Sequence, residues 1–225
     1  MLKKLLILSV FLFSAFSQAE VSLIKLIKKD ASIEKIKAAI EQGADMYATT
    51  SYRKSTPLLV AAEKNRPEVV KLLLEAGAYV NARNSIGQTA LNKISRKEGY
   101  LEVIKVLLQY GADTDAKDKY DHQTALMNAA WGTSVVDVIK ALLEAGADVN
   151  ARNRGGMTAL MMAAQEGKTE FVKLLLAYGA DVNARSKSGK TALFWAYEDW
   201  YGPLPFFKED KKGTIEALLR AGAVE

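Results

Sequence analysis

Apolar residues fall along this chain in paired bursts, and most pairs close on a Gly-Ala step. The first burst is short and nearly unbroken, as in Thr158-Ala159-Leu160-Met161-Met162-Ala163-Ala164. The second, such as Phe171-Val172-Lys173-Leu174-Leu175-Leu176, holds too many apolar residues for one exposed stripe. The pattern predicts two short helices joined by a turn such as Glu166-Gly167-Lys168. A Thr opens the first helix because its hydroxyl can accept from the free amides of the first turn. A Gly ends the second because a left-handed residue closes the last turn without a Cβ clash. The pairs Ala61-Ala62, Ala129-Ala130 and Ala163-Ala164 let neighbouring helices approach closely. The polar stretch Asp181-Val182-Asn183-Ala184-Arg185-Ser186-Lys187-Ser188-Gly189-Lys190 reads as a projecting hairpin finger.

The paired bursts recur with a fixed period. Gly43, Gly77, Gly111, Gly146, Gly179 and Gly222 stand 34, 34, 35, 33 and 43 residues apart. Thr56, Thr89, Thr124, Thr158 and Thr191 stand 33, 35, 34 and 33 apart, each before Pro or Ala and then Leu. Two markers in phase define one repeating unit. The period, the Thr-Pro-Leu or Thr-Ala-Leu start, the Leu-Leu before Gly-Ala-Asp and the Val-Asn-Ala link resemble ankyrin repeats over about residues 22 to 225. The resemblance implies an all-α solenoid of about six helix-turn-helix units with β-hairpin fingers. The units would be an N-terminal cap at 22–45, repeats at 46–79, 80–113, 114–148 and 149–181, and a C-terminal unit at 182–225.

Four departures from the family pattern carry expectations. Leu59, Asn92, Met127, Met161 and Phe194 stand where the family often has His, so the usual network from that His to the loops is expected to be absent. Ile94-Ser95 replaces an Ala pair, which predicts looser packing. His122 and Lys54 stand where other units have Gly87, Gly156 and Gly189. His tolerates positive φ comparatively well, whereas Lys54 implies a different turn. The last unit carries about ten extra residues near 199–210, including Trp200, Pro203, Pro205, Phe206 and Phe207. That segment reads either as a cap over the open end or as a binding loop, and its exposed aromatic load favours the cap. At the other end Lys25, Lys28, Lys29, Lys35 and Lys37 give the first unit a solvated outer side.

The start of the chain has another pattern. Met1-Leu2-Lys3-Lys4 is basic, Leu5 to Phe13 is apolar apart from Ser9, and Ser17-Gln18-Ala19 fits a peptidase site. A cleaved export signal at 1–19 is expected, leaving a domain at 20–225. The apolar run ends well short of the ~20 residues that span a bilayer. The style of the signal suggests a bacterial source. The periplasm is then the expected destination, with secretion as the alternative. Removing the signal would leave 29 basic and 26 acidic residues, too even a balance to argue for nucleic acid.

Composition removes most chemistry. There is no Cys, which rules out disulfides, thiolate metal sites and Cys nucleophiles. His122 is the only His, so no His-rich metal cage can form. No phosphate-cradling Gly-rich Lys-Ser/Thr loop occurs. Neither enzyme activity, cofactor, metal nor membrane span is expected. A monomer that binds another protein is, with a secreted effector acting on host proteins as the alternative.

Resemblance to ankyrin proteins places partners on the face formed by the fingers and the outward positions of the first helices. Those positions are Val60, Lys93, Asn128, Met162 and Trp195, with Trp131 near a helix end. Apolar and aromatic side chains exposed there would act chiefly in an interface. The finger tips add Tyr52, Tyr120 and Arg154, and the final loop adds Trp200, Phe206 and Phe207. Arg83, Lys117, Arg152 and Arg185 form a periodic basic row, able to meet an acidic surface or to pair with the periodic Asp45, Asp113, Asp148 and Asp181. Those carboxylates, at turn positions, are expected to be local hydrogen-bond acceptors.

Overall fold

The five Thr residues start five helices as the pattern requires. In the computed structural model, which describes residues 22–198 and 208–224, the hydroxyls of Thr56, Thr89, Thr124, Thr158 and Thr191 accept the amides three residues on, at 3.2–3.5 Å. Gly43, Gly77, Gly111, Gly146, Gly179 and Gly222 all take positive φ just after a helix, between +77° and +93°. Twelve helices form among the described residues, and the chain divides into two compact units, the first ending at Tyr79 and the second beginning at Val80.

The first unit holds α1 (Leu23–Lys28), α2 (Ile33–Glu41), α3 (Pro57–Glu63) and α4 (Pro67–Glu75). α1 packs on α3 and α2 on α4, so two antiparallel pairs stand side by side. Leu23, Ile24, Ile27, Ile36 and Ala39 face inward, and the five lysines of the first pair are exposed. Arg66 Nη1 donates to the Ala31 carbonyl at 2.7 Å and Lys64 pairs with Asp30 at 3.0 Å, tying the two turns together.

The second unit holds α5 (Ala90–Ile94), α6 (Leu101–Gln109), α7 (Ala125–Gly132), α8 (Val136–Glu144), α9 (Ala159–Gln165), α10 (Thr169–Ala177), α11 (Ala192–Tyr197) and α12 (Lys208–Arg220). α5, α7, α9 and α11 form one layer, each packed on the next; α6, α8, α10 and α12 form the second. The first layer is the drier. Every residue from Ala159 to Ala164 is buried, because α7 and α11 flank α9 and α10 backs it. In the second layer Ile104, Leu107, Ile139, Leu142, Val172 and Leu175 point inward. Full burial of such a side chain contributes about 1.5–3 kcal/mol. Its outer side carries the pairs Lys105–Glu102, Lys140–Glu144 and Lys173–Glu170, exposed and therefore worth little.

Ser95, in place of the second Ala, is fully buried and its hydroxyl donates to the Leu91 carbonyl at 2.6 Å, in a helix of only five residues. One expectation changes here. The fingers are turns, not β-hairpins, and no strand occurs among the described residues. The fingers close on one or two backbone bonds, such as Asn84 N–H to Gln88 O and Gly87 N–H to Asn84 O, both 3.0 Å, too few for a ladder. The aromatic stretch expected at 199–210 lies mostly outside the described residues, and the segment 1–19 wholly so.

Candidate interaction surface

The fingers of the second unit are built alike. In each, an inward residue gathers the amides of the tip. Asn84 Oδ1 accepts from Ile86 and Gln88, Asp118 Oδ1 from Asp121 and His122, Asn153 Oδ1 from Met157, and Ser186 Oγ from Lys190. Adjacent fingers are then joined edge to edge by backbone bonds. Lys119 donates to Ile86 at 3.0 Å, Arg154 to Asp121 at 2.7 Å and Lys187 to Gly155 at 2.9 Å. This close approach explains Gly87 and Gly156. A Cβ at Gly87 would lie 2.7 Å from Lys119 Cγ, and one at Gly156 would lie 2.8 Å from Lys187 N.

His122 and Lys54 take φ of +56° and +53°, so Lys54 shares the backbone region of His122 rather than forming a different turn. Both sit in fingers one residue longer, closed by Asp118 N–H to Gln123 O and Thr50 N–H to Ser55 O. The extra residue carries a Tyr outward at each tip: Tyr52 is 84% exposed and Tyr120 is 64% exposed. Tyr52 is covered on one side by Arg53, whose guanidinium carbon lies 5.6 Å from the ring centre.

The basic row pairs with carbonyls, not with the Asp row. Arg83 donates to the Lys117 carbonyl at 2.7 Å, Lys117 to the Arg152 carbonyl at 3.1 Å, and Arg152 to the Arg185 carbonyl. The Asp row acts locally, as expected. Asp45, Asp113, Asp148 and Asp181 each accept the amide two residues on at 2.8–3.0 Å.

A third row of side chains joins successive repeats. Asn81, Asp115, Asn150 and Asn183 each accept an amide of the following repeat, from Asp113, Asp148, Asp181 and Val224, at 2.8–3.0 Å. Asn150 and Asn183 also donate to the Gly179 and Gly222 carbonyls, and Asn81 donates more weakly to Gly111 at 3.4 Å. The Asn of Val-Asn-Ala, recurring in phase, was the available signal.

Three residues expected to face outward do not. Val60, Asn128 and Met162 are 5–6% exposed. Met162 lies in a helix flanked on both sides, and the Asn128 amide donates to the Asn92 carbonyl at 3.2 Å. Asn92 corrects a further expectation. It stands in the usual His position, and its amide donates to the Ala116 and Gln123 carbonyls, both 3.1 Å, so one repeat keeps the helix-to-loop network.

Trp131, at the end of α7, is 51% exposed. Lys168 Nζ donates to the Trp131 and Ala130 carbonyls at 2.7 and 3.0 Å, closing that helix end. Burial lowers the Lys168 pKa, against the opposing pull of Glu166 and Glu98. Lys93 is partly exposed and Arg154 is exposed, its guanidinium 3.4 Å from His122 Nε2. Trp195 is partly buried, edge-on to an exposed Phe194. Lys190 Nζ lies 4.3 and 4.6 Å from the two ring centres and pairs with Glu198 at 3.0 Å. Trp200, Phe206 and Phe207 lie outside the described residues. The exposed candidates thus gather on fingers and helix ends rather than on the faces of the first helices.

A family model described as "Ankyrin repeats (3 copies)" matches residues 23–118, 83–153 and 126–205. A search of curated proteins finds no match.

Proposed function

The chain belongs to the ankyrin repeat family, an interaction module, and on that footing we propose that it is an exported scaffold that holds one protein partner through its fingers. The observation that carries the reading is the exposure of Tyr52 and Tyr120 on tips whose backbones are fixed by hydrogen bonds. Large amphipathic side chains on a rigid frame lose little entropy when they dock. They stabilise the fold little where they stand, so their value lies in contact with another molecule.

Export rests on the basic start, apolar run and small-residue site within 1–19. No helix among the described residues is long and apolar enough to cross a membrane. In a bacterial host the periplasm is the destination this reading favours. Crosslinking in intact cells, followed by fractionation and pull-down, tests it. The expected result is one dominant crosslinked protein in the periplasmic fraction. Recovery only from the cytoplasm would sink export, and recovery from the medium would favour the secreted effector. Failure to capture any specific protein would sink the scaffold itself.

A further inference from the structure

The cations of the second unit's fingers are placed unlike those of its outer helices. On the second layer each named lysine has a glutamate partner one turn away. On the fingers Arg83, Lys117, Lys119, Arg152 and Arg154 are held by backbone carbonyls, and none of them forms an ion pair among the described residues. Lys187, equivalent to Lys119 and Arg154, is likewise exposed and outside any ion pair among the described residues. A carbonyl fixes a cation's position without cancelling its charge. The neighbouring carboxylate of Asp118 is engaged by the Asp121 and His122 amides.

The placement is also regular. Lys117 and Lys119 flank inward Asp118, and Arg152 and Arg154 flank inward Asn153. Lys117 and Arg152 reach to carbonyls of the next finger, and Lys119 and Arg154 to carbonyls of the preceding one, so cations line the joints between fingers from both sides. The first helices of successive repeats pack on one another at about 8–10 Å, and their fingers follow at the same repeat. A segment in polyproline II conformation rises about 3.1 Å per residue with three residues per turn, so every third side chain returns to the same face about 9 Å further on, at the next finger.

We propose, building on the scaffold reading, that this strip receives an extended acidic protein segment with Asp or Glu at every third residue. Nucleic acid fits less well. The middle tip positions are Ile86, Tyr120, Gly155 and Ser188, which give one aromatic where a base-stacking platform needs a series.

The test is fluorescence anisotropy of the whole chain with labelled 15-residue peptides in a Gly/Ser background. A peptide with Glu at every third residue is expected to bind at least about tenfold tighter than one with the same glutamates in a block. Its affinity is expected to fall steeply with salt. A peptide with Lys at every third residue is expected not to bind. The triple variant Lys119→Glu, Arg154→Glu, Lys187→Glu is expected to lose the binding, with an unchanged circular dichroism melt. The Gln triple variant, which adds no repulsion, is expected to lose most of it. Equal binding of the periodic and block peptides overturns the proposal. So does full binding by either folded triple variant, or tighter binding of oligothymidine or anionic vesicles. If both triple variants melt early, single Gln variants read by the same assay decide it. A partner crosslinked in cells and still held by the triple variants would leave the scaffold standing and sink the acidic strip alone.

Discussion

Asp115 accepts the backbone amide of Asp148 at 3.0 Å, in the same way that Asn150 accepts that of Asp181 at 2.8 Å. Asn150 also donates to the Gly179 carbonyl, whereas a carboxylate has no N–H to offer the equivalent Gly146 carbonyl. The row of side chains that ties successive repeats therefore has one incomplete member.

Asp115→Asn is expected to complete it. One added exposed hydrogen bond should raise stability by about 0.5–1.5 kcal/mol. Urea unfolding measures the change, and a loss of stability would mean that the new amide cannot reach Gly146.

Gly156 and Gly189 have nearly the same φ, +75° and +79°, but different surroundings. At Gly156 a Cβ would meet the next finger's backbone at 2.8 Å, while at Gly189 nothing lies within 4 Å. Gly189→Ala should cost about 1–2 kcal/mol from backbone strain alone. Gly156→Ala should cost about 1–3 kcal/mol more from overpacking. Equal costs in parallel unfolding curves would show that the finger edges give way freely.

Met162→Ala should cost about 2–5 kcal/mol, since Met162 is core. Tyr120→Ala should change stability by no more than about 0.5 kcal/mol, yet reduce capture of the crosslinked partner. Undiminished capture by Tyr120→Ala would remove the tip tyrosine from the interface.

Lys168 gives a pH dependence with a definite sign. Burial holds its pKa below the ordinary lysine value of 10.5. The unfolded chain then binds this proton more tightly, so the group's contribution is greatest above 10.5 and is lost as pH falls through the lowered folded value. The stability of wild type relative to Lys168→Met should therefore rise from neutral pH toward 10.5 in urea titrations at stepped pH. A flat or falling difference would show that the glutamates outweigh burial.

Much of the fold was legible because its signals are local. A Thr cap or a Gly after a helix acts within a few residues of its own position. Met162, Val60 and Asn128 were misplaced because burial there depends on neighbouring helices and loops, which the helical period of one segment does not reveal. The basic row was visible but its partners were not, since a backbone carbonyl has no letter of its own. Asn92 looks in sequence like the loss of a His network, yet its side-chain amide can fill the same carbonyl-binding role. Tyr52 and Tyr120 were the surface residues most open to sequence reading, since a finger tip exposes what it carries.

The side-chain row has a consequence for how such a chain can change over generations. Each bond in the second unit runs from one repeat to the matching place in the next, as from Asn81 to Asp113 and from Asn150 to Asp181. Duplication or deletion of one whole period presents every donor with an equivalent acceptor. A deletion of half a period strands both. Recombination at period boundaries is thus nearly silent for folding, and the length of the array is free to drift while its joints stay the same.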